Sequence, residues 1–80
     1  MAEVHRDQNP TAYRGCDIAV VTERMRDGRW AVVAKVTHET AHAMKVTPMP
    51  VADRTFATED EARQFGYAQA RDWIDRSVAA

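Results

Sequence analysis

Eighty residues, with eleven basic and twelve acidic side chains, are enough for one domain and too few for two. This near-neutral balance gives no general attraction to nucleic acid or to an anionic membrane, so we expect neither as a partner. The single cysteine, Cys16, excludes an internal disulfide, and no apolar run is long enough to cross a bilayer. The polar N-terminus lacks the apolar core of a signal peptide, so a cytoplasmic location is the default expectation.

The N-terminal segment mixes charged and amide side chains with Pro10 and shows no periodicity. We therefore expect residues 1–12 to be a flexible N-terminal tail. Residues 13–80 are expected to form a single β-β-β-α domain.

Alternating apolar residues predict two strands, over residues 17–25 and 30–37. Residues 26–29, Arg-Asp-Gly-Arg, supply the turn between them, and Gly28 can take a positive φ there without steric cost. The second strand is more apolar on the face that begins with Trp30, so this face is predicted to be the core face.

The length of this turn decides which side chains meet across the hairpin. A two-residue loop would place Glu23 beside Val32 on the core face, whereas a three-residue loop with Gly28 as a bulge pairs apolar residues there. The longer loop is therefore preferred, and it predicts these pairs: Thr22 with Val32, Val20 with Ala34, and Ile18 with Val36.

A third, shorter strand is predicted over residues 43–47, with Met44 and Val46 facing the core. Pro48 and Pro50 end it, because proline has no amide hydrogen to donate to a sheet.

A helix is predicted from Thr58 to about Ser77, because Thr58 and Glu61 have the spacing of a capping box. Gly66 costs the helix about 1 kcal/mol relative to alanine, which close approach to the sheet would explain. The apolar stripe of this helix comprises Ala62, Phe65, Gly66, Ala70, Trp73 and Ile74. Two oppositely charged pairs have i,i+4 spacing on its solvent-exposed face, Glu59 with Arg63 and Asp72 with Arg76. The predicted fold is thus α+β, a three-stranded antiparallel β-meander with one C-terminal helix packed on the Trp30 face.

His38-Glu39-Thr40-Ala41-His42 matches the HExxH pattern of zinc metalloproteases. On a helix, His38 and His42 would share a zinc ion and Glu39 would act as general base on the bound water. Glu59 or Glu61 would supply a third ligand.

The HExxH match is interpreted as a coincidence, because the zinc motif needs a helix and this segment lies between two strand-like runs. The stretch available for a helix before Pro48 is also short. We expect a solvated connection here, with no catalytic residue, no metal site and no cofactor. The protein is therefore predicted not to be an enzyme. A zinc-dependent hydrolase that uses His38 and His42 as ligands and Glu39 as base remains an alternative.

Arg24, Arg26 and Arg29 cluster on the first hairpin, with Lys35 and Lys45 nearby in the sequence. The cluster is interpreted as a charged hairpin tip that keeps the sheet soluble. The alternative is a phosphate-binding patch with Trp30 as a stacking partner.

The order of the predicted strands, turn and helix, together with three short motifs, resembles known families. The motifs are the Asp-Gly-Arg-Trp turn at 27–30, the helix start Thr-Phe-Ala-Thr-Glu-Asp-Glu-Ala at 55–62 and Asp-Trp-Ile at 72–74. The chain resembles small bacterial β-β-β-α domains, many of them uncharacterised, over about residues 13–77. It is more loosely similar to the partial RNase H-like domain of HicB-type antitoxins. That similarity implies an antitoxin-like or nucleic-acid-associated regulatory domain as a second alternative, although we expect no DNA-binding domain after the helix.

One helix can cover only one face of such a sheet. The other face carries Ala19, Val21, Ala31 and Val33, which would form an apolar patch if left bare. The sequence therefore predicts a small non-enzymatic interaction module that forms a homodimer, with an unidentified protein as the other partner to consider.

Overall fold

The computed structural model describes residues 3–6, 10–50 and 54–77, and these form an α+β fold. Five antiparallel strands make one sheet, and a helix packs across β3 and β4 on one of its faces. The elements in chain order are β1 (Glu3–Arg6), β2 (Thr11–Tyr13), β3 (Cys16–Arg24), β4 (Trp30–Glu39), β5 (Met44–Pro48) and α1 (Glu59–Ser77).

The strands lie in the order β1-β3-β4-β5, and β2 also pairs with β3. The meander β3-β4-β5 followed by a helix agrees with the prediction from the sequence. The predicted number of three strands is wrong, because β1 and β2 pair end to end along the outer edge of β3.

The two additional strands fall in the segment that was expected to be a flexible tail. β1 pairs with the second half of β3 and places His5 opposite Thr22. β2 joins β3 through a two-residue turn, in which Arg14 and Gly15 have φ values of 50° and 83°. Backbone pairing to an open strand edge needs no apolar alternation, so the sequence pattern did not indicate these strands. Residues 1–2 and 7–9 of the predicted tail lie outside the described residues.

The β3–β4 hairpin has the predicted three-residue loop with a glycine bulge. Met25 N–H donates to Arg29 O at 2.7 Å, and Gly28 has a φ of 84°. The predicted core pairs are confirmed: Thr22 with Val32, Val20 with Ala34, and Ile18 with Val36. All of these side chains are buried under α1.

Helix α1 begins as the capping residues predict. Thr58 Oγ1 accepts a hydrogen bond from the Glu61 N–H at 3.1 Å, which satisfies one of the free amide groups of the first turn. The predicted apolar stripe faces the sheet: Ala62, Gly66, Ala70 and Ile74 are buried, and Phe65 and Trp73 are packed against the core. The expected close approach at Gly66 is confirmed, since a Cβ there would lie 2.9 Å from Val32 Cγ2.

The prediction that Met44 and Val46 of β5 face the core is wrong, because the two faces of this strand are reversed. In the β4–β5 register, Lys45 lies opposite His38 and Thr47 opposite Val36, so these two share the helix side of the sheet. Met44 and Val46 point to the other side and are 60% and 57% exposed. The core at this edge is instead completed by Met49, which is 3% exposed and was not predicted.

Candidate interaction surface

The histidine motif forms the end of a strand and a turn. His38 and Glu39 end β4, and residues 40–43 lead into β5. Thr40 closes this turn, because its N–H donates to the Ala43 carbonyl at 2.8 Å and its hydroxyl donates to the same carbonyl at 2.7 Å. Because residues 38–45 are not helical, His38 and His42 do not have the one-turn spacing that the zinc motif requires.

The proposed zinc ligands are not brought together. The ring of His38 packs 5.9 Å from the ring of Trp73 near the end of α1, whereas His42 is exposed in the turn. Glu59 and Glu61 lie in the first turn of the same helix, at its opposite end. Among the described residues, no group of three or more His, Cys, Asp or Glu side chains could hold a metal ion.

The arginines of the first hairpin have separate surroundings. Arg29 is tied to the segment before α1, because its guanidinium donates to Thr55 Oγ1 at 2.7 Å and to the Thr55 carbonyl at 2.8 Å. Arg24 and Arg26 are exposed. Trp30, the proposed stacking partner, is half-buried against the core. Its ring also packs 5.4 Å from the ring of His5, centroid to centroid.

The two lysines do not extend this cluster. Lys35 lies opposite Pro48 on the side of the sheet away from α1, whereas Lys45 lies opposite His38 on the helix side. No continuous basic surface results from Lys35 and Lys45.

A polar cluster, here called the Glu59 cluster, joins β1, β3 and α1. Glu59 Oε2 accepts hydrogen bonds from the buried Thr22 hydroxyl at 2.7 Å and from Arg63 at 3.2 Å. It also lies 2.5 Å from His5 Nδ1. Thr22 is fully buried, so this cluster satisfies a hydroxyl in the core as well as fastening β1 to the helix.

The Glu59 cluster is suited to holding the fold together rather than to moving protons. The Thr22 hydrogen bond lowers the pKa of Glu59 below its ordinary value of 4.5, and the His5 hydrogen bond and the charges of His5 and Arg63 act in the same direction. Partial burial opposes them. A carboxylate held ionised by several donors is a weak general base near neutral pH.

A second polar cluster fastens β2 to the end of α1. Asp75 accepts hydrogen bonds from the Tyr13 hydroxyl at 3.0 and 3.1 Å and from Arg14 at 2.9 Å. The hydrogen bond to Asp75 is the main reason that the pKa of Tyr13 is raised above 10.0. Neither cluster was predictable from the sequence, because His5 and Arg14 lie in or beside the segment that shows no periodicity.

A surface groove of about 320 Å³ runs along α1. Its described lining comes from the helix alone: Asp60, Arg63, Gln64, Tyr67 and Arg71. These side chains carry both signs of charge, so the groove shows no preference for one class of ligand.

The side of the sheet opposite α1 is a second candidate surface, here called the uncovered face. The predicted members Ala19, Val21, Ala31 and Val33 lie on it and are partly exposed, with Val21 directly opposite Val33. Met44 and Val46 continue it onto β5 with more than half of each side chain exposed. Exposed apolar side chains gathered at one edge of a sheet are typical of a contact surface.

The edge of the sheet at β5 belongs to the same surface. β5 ends the strand order β1-β3-β4-β5, so one side of its backbone has no neighbouring strand among the described residues. Such an edge presents N–H and C=O groups that can pair with another chain. The apolar side chains of Met44 and Val46 lie directly beside these groups.

A protein-family model described as a domain of unknown function, DUF6566, matches residues 5–80, so the chain belongs to that family. No curated protein and no solved structure matches the chain. The expected resemblance to a family without known function is thus confirmed, and none of these findings shows a similarity to HicB-type antitoxins. In the described part of the chain, no helix combines the length and the apolar character needed to cross a membrane.

Proposed function

We propose that this member of the DUF6566 family is a non-enzymatic interaction module that forms a homodimer through the uncovered face and the edge beside it. The observation that carries this proposal is the exposure of Met44 and Val46, at 60% and 57%, next to an open strand edge. A small domain leaves such apolar area in water only at a cost, and a second copy can remove it.

The surroundings of the polar side chains also favour binding over catalysis. The Glu59 cluster and the Asp75 cluster connect strands to the helix, and their carboxylates are occupied by donors from the same chain. The HExxH residues lie in a strand and a turn. Neither the hydrolase nor the antitoxin-like alternative gains a supporting observation.

Light scattering of the purified chain over the micromolar range tests this proposal. We expect a mass twice that of one chain at the upper concentrations. Val46→Asp introduces a charge on the exposed apolar strip and is expected to give the monomer mass. Gln64→Asp, which places the same charge on the exposed side of α1, is the matched control and is expected to leave the dimer intact.

A monomer mass at every concentration would contradict the proposal. Equal dimerisation of the wild type and Val46→Asp would also contradict it, because the strip around Val46 would then have no part in assembly. Circular dichroism of each variant confirms that the mass is measured on the folded chain.

A further inference from the structure

We propose that β5 pairs with β5 of a second copy of this chain, antiparallel and about a twofold axis at Val46, so that the two sheets become one. This inference rests on the proposed function, because it names the part of the surface that binds and the strand that it binds. A twofold contact uses the same surface on both copies, so β5 must complement itself.

The backbone groups of β5 alternate between β4 and the open edge. Hydrogen bonds at both ends of the β4–β5 pair fix the phase of this alternation: Thr40 N–H to Ala43 O and Met49 N–H to Ala34 O, both 2.8 Å. In the observed register, Lys45 and Thr47 therefore bond to β4. Met44 and Val46 direct their N–H and C=O groups away from the sheet, and Pro48 directs only its C=O there.

The sequence of β5 favours one position of the axis. An axis at Lys45 would set two lysine side chains directly opposite each other, which is destabilising in a sheet. An axis at Thr47 would place each Val46 opposite Pro48, and each of these two pairs would keep one hydrogen bond because Pro48 has no N–H. An axis at Val46 also leaves one hydrogen bond in each Met44–Pro48 pair, from the Met44 N–H to the Pro48 carbonyl, but it adds the two hydrogen bonds that the Val46 residues of the two copies exchange.

The side chains agree with the axis at Val46. Val46 then packs on Val46 of the second copy, in a pair of β-branched residues that suits a sheet. Met44 lies beside Pro48 of the second copy on the same side. The two most exposed large apolar side chains of the described residues, Met44 and Val46, would thus each lose part of their contact with water. On the opposite side, each Lys45 faces Thr47 and meets no like charge.

A face-to-face dimer is less favoured by the charges of the uncovered face. Asp17, Glu23, Glu39 and Lys35 lie on this face. Stacking two such faces would remove these charges from water, which costs free energy. Pairing at the β5 edge leaves the charges of β3 in solvent.

Disulfide cross-linking distinguishes the position of the axis. With the axis at Val46, the two Val46 Cα atoms lie about 5.5 Å apart, a separation that a disulfide can bridge. The two Lys45 residues are offset by two positions along the strands, about 8 Å between Cα atoms, which is too far. In a Cys16→Ala background, we expect mild oxidation to give a covalent dimer for Val46→Cys and monomer for Lys45→Cys.

Light scattering of Val33→Asp separates this inference from the proposed function. Val33 lies on β4 away from the open edge, so the edge-paired dimer is expected to survive this substitution. If Val33→Asp disrupts the dimer and Val46→Cys gives no cross-link, the edge pairing is wrong, but the proposed interaction module is still supported. Cross-linking at Lys45 in place of Val46 would overturn the proposed axis. A wild type that stays monomeric would overturn both proposals.

Discussion

Thr22 Oγ1 lies 2.7 Å from Glu59 Oε2, so a hydroxyl buried in the centre of the sheet donates a hydrogen bond to the first residue of α1. This contact couples the helix to β3 and, through His5, to β1. Because the hydrogen bond is stronger to the ionised carboxylate than to the neutral acid, it lowers the pKa of Glu59 in the folded chain. The hydrogen bond therefore stabilises the folded chain at pH values above the ordinary pKa of 4.5. This stabilisation is lost as pH falls through the lowered pKa of Glu59 in the folded chain.

Glu59→Gln should lower the free energy of unfolding at about pH 7 by about 1 kcal/mol, a value typical of a partly exposed hydrogen bond. The difference from the wild type should shrink as pH falls below 4.5 and through the lowered pKa of the folded chain, because Glu59 becomes protonated there. Urea denaturation at several pH values measures both free energies. Glu61→Gln, on the exposed side of the same turn, is the matched control. A difference that stays constant over this pH range would contradict the role of ionised Glu59.

Gly66→Ala should destabilise the chain although alanine favours a helix. The helix would gain about 1 kcal/mol. The added Cβ, however, would lie 2.9 Å from Val32 Cγ2 and 3.3 Å from Val20 Cγ1, inside a packed core where overpacking costs about 1–3 kcal/mol. We expect a lower melting temperature than that of the wild type.

A double-mutant cycle tests the cause of this loss. Val32→Ala removes the closest methyl group, so Gly66→Ala should cost less in that background or even stabilise it. Ala68→Gly, at an exposed position of α1, measures the helix preference without packing. A stability gain from Gly66→Ala in the wild type equal to the loss from Ala68→Gly would contradict close packing at Gly66.

Thr47→Val should stabilise the chain by about 1 kcal/mol. Thr47 Oγ1 is buried and has no hydrogen-bond partner among the described residues, so replacing the hydroxyl with a methyl group of similar size removes an unfavourable burial. Thermal unfolding followed by circular dichroism measures the change. Thr47→Ser keeps the hydroxyl and loses the methyl group, so it should not stabilise. A loss of stability in Thr47→Val would show that the hydroxyl has a favourable contact.

The parts of the fold that local chemistry determines were predictable from the sequence. The register of the β3–β4 hairpin follows from Gly28 and from the better pairing of Val20 with Ala34. The start of α1 follows from Thr58, whose hydroxyl accepts the Glu61 N–H.

The parts that depend on distant contacts could not be predicted. β1 is polar and short, and its place beside β3 depends on contacts such as that of His5 with Glu59, 54 positions along the chain. The helix covers β3 and β4, so β5 lies beyond its main contact. Hydrophobicity was therefore a poor guide to which side of β5 faces the core. The exposed Met44 and Val46 that now define the candidate surface were for the same reason assigned to the core.

Amide hydrogen exchange of the unmodified chain, measured by NMR at low and high protein concentration, tests self-association at the β5 edge most directly. We predict that the amides of Met44 and Val46, which point away from β4, exchange more slowly as concentration rises. The amides of Lys45 and Thr47, which bond to β4, serve as internal controls and should change little. Exchange at Met44 and Val46 that is independent of concentration would contradict pairing at the β5 edge.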